Sequence, residues 1–189
     1  LLRQVGSEAS IAPVAALLAD KDISVRACIA LQSLPGPKAD EALREALPKV
    51  PAELQAGVIQ TIGARRDAKA ISLLAPLASN ADAGIAAETL IAIGRIGGTE
   101  ALGALNNAKV PDALRETRSH ALLLCANTLS TEGKKAEAAA TYASVFKEGG
   151  ARGVKIAALR GLAANDKAQA ADAFVAALKD DDARLRPSA

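Results

Sequence analysis

The stretches VRACIALQSL (residues 25–34), LQAGVIQTIG (54–63) and IAAETLIAIG (85–94) decide the fold, because one apolar pattern returns at near-constant distance. Each places apolar residues at i, i+3, i+4 and i+7, the spacing of one face of an α-helix. Val25 to Leu54 is 29 residues, and Leu54 to Ile85 is 31. RSHALLLCANTL (118–129) and VKIAALRGLA (154–163) carry the pattern further, and Leu185 lies 31 residues beyond Val154. Repetition at this period predicts an array of one supersecondary unit, each copy too small to bury its apolar face alone.

Between these helices the sequence turns and then builds a second one. The turns read PGPK after Leu34, ARRD after Gly63, RIGGT after Gly94, STEGK after Leu129 and ANDK after Ala163. Gly and Pro end helices, and Asp or Thr can cap the next. Second helices are predicted over 39–48, 68–78, 100–107, 135–147 and 167–178. Their apolar sets recur, as in Ala42, Leu43, Ala46 and Leu47, then Ala70, Ile71, Leu74 and Leu77, and later Ala170, Ala171, Phe174, Ala177 and Leu178. No segment sustains period-2 alternation, so no sheet is expected. The fourth hairpin differs: its first helix is predicted to begin near Asp112, a turn or more early.

These residues resemble HEAT-like repeats of the phycobilin-lyase type. Asp22-Ile-Ser-Val-Arg26 and Asp182-Ala-Arg-Leu-Arg186 are similar to the D-x-x-V-R entry of such repeats, and the A-x-x-x-L-x-x-[IL]-G ending fits the same pattern. The stretch 122–146, with Ala126, Gly133, Ala138 and Tyr142, is similar to a tetratricopeptide hairpin spanning about 119–149. The resemblance covers nearly the whole chain. It implies an all-α, right-handed α-α superhelix (a solenoid) of about five hairpins, as a single array over residues 1–189. Leu2 to Ile11 aligns with Ile93 to Leu102, so partial repeats are expected at both ends, and the chain is expected to be a piece of a longer protein.

Composition narrows the function. Alanine supplies 46 of 189 residues, and the aromatics are Tyr142, Phe146 and Phe174, so a large aromatic-lined ligand cavity is hard to build. Charge is mixed, with 23 basic and 21 acidic residues and a net +2. The longest run of like charge is Asp180 to Asp182. A nucleic-acid binder needs a basic stripe to displace counterions, and none is present. Arg65-Arg66 and Lys134-Lys135 are short basic pairs interleaved with acids. HEAT-like glycosylases bind DNA on a concave basic face, but no aromatic stacker accompanies the pairs here, so nucleic acid is not the expected partner. No apolar run approaches the roughly 20 residues that span a bilayer.

Catalytic and metal chemistry find little support. His120 is the only histidine, and Cys125 lies off its i+3/i+4 face. Ser119 points about 100° from His120 on a helix, so the two do not form a nucleophile and base. Gly94-Arg-Ile-Gly97-Gly98 lacks the Lys-Ser/Thr ending of a phosphate loop. Asp40 and Glu41 are expected to be solvated, and Cys28 and Cys125 to be free core thiols three repeats apart. Neither cofactor nor metal is expected. Leu31 and Leu159 are expected to lie in the core.

The resemblance implies that second helices line a concave face. Arg44, Lys69, Ser72, Asn106, Tyr142 and Asp172 are then the candidate contacts for a protein or peptide partner. Tyr142 is the one aromatic among them, although the tetratricopeptide match places it between helices with a wet hydroxyl. The expected function is a non-catalytic interaction scaffold. The alternative is an accessory domain of a larger enzyme whose active site lies elsewhere.

Overall fold

In the computed structural model of the chain, residues 8–178 are described, and eleven α-helices account for most of them. They are α1 (Ile11–Ala16), α2 (Ser24–Ser33), α3 (Pro37–Ala46), α4 (Ala52–Arg65), α5 (Ile71–Leu74), α6 (Ala83–Ile96), α7 (Gly98–Asn107), α8 (Arg115–Thr131), α9 (Lys135–Glu148), α10 (Arg152–Asn165) and α11 (Lys167–Leu178). No strand occurs among the described residues, which form an all-helical fold. No helix among them is long and apolar enough to cross a membrane. The stretches 1–7 and 179–189 lie outside the described residues, and with them the Asp182 entry motif, the Asp180 run, Leu185 and most of the N-terminal partial repeat.

Each helix packs against its neighbours in a regular order. α2 packs on α4, α4 on α6 and α6 on α8, while α9 packs on both α8 and α10. Among the second helices, α1 packs on α3, α5 on α7 and α9 on α11. One continuous apolar core runs from Ile11 to Ala170. A small separate cluster of Leu159 and Ala177, flanked by Phe146 and Phe174, lies between α10 and α11. Leu31 and Leu159 are both buried, as the apolar spacing requires.

The sequence reading needs three corrections. Gly63 and Gly94 do not end their helices, since α4 continues to Arg65 and α6 to Ile96. Both glycines are packing contacts. A Cβ on Gly63 would lie 2.6 Å from the Ala92 Cα, and one on Gly94 would lie 2.5 Å from the Ala121 carbonyl oxygen. The missing side chain is what lets the next helix come so close. The true stop after α6 is Gly97, whose φ of 72° a side chain rarely adopts. A Cβ there would also strike Thr128.

Secondly, the single helix expected over 68–78 is three short pieces: a 3-10 turn at Ala68–Ala70, α5, and a 3-10 stretch at Ala75–Ser79. Pro76 explains the last break. It has no N–H to donate, and its ring clashes with the carbonyl four residues back. Thirdly, Val25 and Ile29 face outward, at 70% and 60% exposure. The buried face of α2 is Ser24, Ala27, Cys28 and Leu31, the same period displaced by one residue. The other predicted helices agree with the structure to within a few residues, and the fourth hairpin does begin early, with a 3-10 turn at Asp112–Leu114 ahead of the 17-residue α8.

Candidate functional site

The expected partner-binding residues separate into three environments. Lys69, Ser72, Asn106 and Asp172 are exposed, on the 68–79 segment, α7 and α11. Arg44 is half-buried on α3 and is tied to the buried carboxylate of Asp67, at the start of the next hairpin's second segment. Asp67 also accepts from the Lys69 backbone N–H at 3.1 Å, so its carboxylate caps that segment as well. Tyr142 is only 2% exposed. Its ring lies against Gly161 of α10, where any side chain would collide with it. Its hydroxyl donates to the Asn127 Oδ1 at 2.5 Å. Burial raises the Tyr142 pKa above the usual phenol value. Tyr142 is therefore a packing residue between α9 and α10 and presents no ring to a partner.

Two further charged residues have a different place from the one their sequence suggests. Arg65, read as a turn basic residue, is held inside a clasp between hairpins. It pairs with Asp40, and its guanidinium donates to the carbonyls of Leu31, Gln32, Leu34 and Gly36 at 2.6–3.2 Å. Those carbonyls include orphan acceptors at the C-terminus of α2, where a cation is also favoured by the helix dipole. Asp40 is accordingly engaged rather than freely solvated. The sequence signal was a basic residue 25 positions after an acid in a repeat of similar length, a spacing that only a known repeat stacking would make readable.

Cys28 and Cys125 are free and buried. Burial first, with Glu132 and Glu137 adding, pushes the Cys125 thiol up to about 11. Its Sγ contacts the Gly98 carbonyl at 3.5 Å. His120 is exposed on α8.

The structure adds a feature absent from the sequence reading. A cleft of about 630 Å³ lies between the 108–112 loop with the start of α8 on one side, and the 149–151 loop with the start of α10 on the other. Its volume falls in the range of small-ligand sites. Lys109, Asp112, Arg115, Glu116, Arg118, Ser119 and Glu148 supply its polar groups. Arg115 pairs with Asp112 at 2.8 Å, and Arg118 with Glu148 at 3.0 Å. The early start of α8 puts Asp112 and Arg115 at the cleft. The sequence marked that extension, but nothing in it brings residues 30 or more apart together.

No known family's sequence profile matches this chain, and no curated protein does.

Proposed function

We propose that the chain is an α-solenoid of HEAT-like hairpins that acts as a non-catalytic scaffold for a protein or peptide partner. The observation that carries this reading is the serial packing of like helices together with exposed polar positions on the intervening ones: Lys69 and Ser72 in the second hairpin, Asn106 on α7 and Asp172 on α11. Units that pack only on their neighbours give an extended surface rather than a single pocket, which suits recognition of a long partner. Scattered surface residues then set specificity, with Arg44 held in place by Asp67 as a partly exposed charge among them.

The test is site-specific photocrosslinking in the full chain. A photoreactive group at Asn106 or Lys69 is expected to give adducts with one partner, whereas the same group at His120, exposed on a first helix, gives none. Equal labelling from both sets of positions would overturn the reading.

A further inference from the structure

Val25 and Ile29 are the two most exposed large apolar side chains among the described residues. They stand about one turn apart on α2, so they share a face. Beside them a groove of about 190 Å³ runs between α2 and α4. Val25, Cys28 and Ile29 wall it on one side, and Leu54, Gly57 and Thr61 on the other. Lys21 pairs with Glu53, and Cys28 lies against Gly57, so the two helices run parallel. Gly57 leaves the α4 backbone bare, and a neighbouring chain can come close there. Apolar side chains held in water on one face, with polar ones at the rim, mark an interaction surface.

Charge decides what can cover this face. The one charged residue lining the groove is Glu53, and Lys21 already pairs with it at 2.6 Å. The buried hydroxyls are matched as well: Thr61 donates to the Gly57 carbonyl at 2.8 Å, and Ser24 hydrogen-bonds the Cys28 thiol. The other polar groups of the lining are the neutral amides of Gln32 and Gln60. Arg26 is turned about 100° from Val25 and lies at the edge of the face. A charged partner would therefore give up hydration here without gaining a counter-charge, whereas a neutral apolar one would not. The polar groups also sit at opposite ends. The Lys21–Glu53 pair precedes Val25 and Leu54, and the two amides follow Ile29 and Gly57. Turned end for end, the face therefore matches itself. Val25 meets Ile29, and amides that both donate and accept meet the ion pair.

We propose that two copies of this chain pair through α2 and α4, antiparallel about a two-fold axis at the level of Ala27, with Val25 of each copy against Ile29 of the other. The face belongs to first helices, apart from the second-helix positions assigned to the partner above. The ten residues of α2 span about 15 Å, and two packed helices are about 20 Å across, so the contact covers on the order of 300 Å² of each copy. A standard stable interface takes about 800 Å² per partner. The pairing is accordingly weak and reversible, with dissociation expected at hundreds of micromolar.

The experiment is sedimentation equilibrium of the full chain from micromolar to millimolar concentration. The average mass should rise from monomer towards dimer across that range. Val25→Lys and Ile29→Glu should each weaken pairing about tenfold, because each sets a charge against an apolar side chain. Both positions are exposed, so the melting temperature should stay that of the unaltered chain and show that the variants are folded. An equimolar mixture of the two variants should recover the pairing. The introduced ammonium and carboxylate then face each other across the axis, while the untouched Ile29 and Val25 meet as before. A chain that stays monomeric throughout would overturn the proposal and leave the face to a different protein. Variants that pair as well as the unaltered chain would also overturn it. So would a mixture as weak as its parts, the result of a parallel arrangement. Val175→Lys, on the exposed face of α11, should change nothing; loss of pairing there would place the contact on α11 and overturn the assignment.

Discussion

Gly63 and Gly94 occupy helix interiors, where glycine ordinarily weakens a helix, and they are there for contact. Gly94→Ala should cost about 2–3 kcal/mol, because the new methyl meets Ala121 backbone that cannot turn aside. Gly103→Ala in α7 should instead stabilise by about 0.5–1 kcal/mol, since nothing lies within 4 Å of its Cβ position. Urea unfolding of the two variants checks the pair; equal effects would mean that the close approach is not required. Cys125 gives a second prediction. Its folded-state pKa is raised from 9.0 to about 11, so the folded protein keeps the proton that the unfolded chain loses first. Stability is therefore fully present below about pH 9 and falls as pH rises towards about 11. Cys125→Ala should remove on the order of 2–3 kcal/mol of that alkaline loss, read by urea unfolding at each end of the window. The two glycines were visible in the sequence but were read as stops, because the [IL]-G ending is equally consistent with termination and with contact. Only the position of Ala92 and Ala121 separates the two. The burial of both cysteines, by contrast, followed from their places on apolar helical faces.

At the level of elements, the clasp around Arg65 joins two hairpins through one side chain. Arg65→Lys should cost about 2–4 kcal/mol, because an ammonium cannot reproduce the fork that reaches several carbonyls and Asp40 together. A double-mutant cycle with Asp40→Ala should show a coupling above about 0.5 kcal/mol, and strict additivity would assign Arg65 to capping alone. Leu31→Ala and Leu159→Ala should each cost about 2–5 kcal/mol, and Leu31, fully buried with neighbours on every side, belongs at the upper end. Denaturant melts of these variants test whether the core is as continuous as it is drawn. Existence and order of the helices were legible from periodicity alone. The break at 68–79 was not, although Pro76 was in plain view, because the apolar spacing of Ala70, Ile71, Leu74 and Leu77 survives the change from α to 3-10 winding.

Across the whole molecule, burial is uneven. α11 buries Ala170 and Ala177, while Val175 and Leu178 stay more than half exposed. α6 buries eight of its residues. Units that rely on neighbours open from the less buried end, so amide exchange should be fastest in α10 and α11 and slowest in α4, α6 and α8. Uniform protection along the chain would show all-or-none unfolding instead. Little of the candidate site was legible, since its parts come from loops 30 or more residues apart and the exposed second-helix positions carry no pattern of their own. The broken segment at 68–79 has a geometric consequence. Eight of its twelve residues are wound as 3-10 helix, which rises about 2.0 Å per residue against about 1.5 Å for α. The segment thus reaches about 22 Å where a regular helix would reach about 18 Å. It is a strut longer than its residue number implies, and rewinding it as a regular helix would draw its two ends together by about 4 Å, roughly three-quarters of a helical turn.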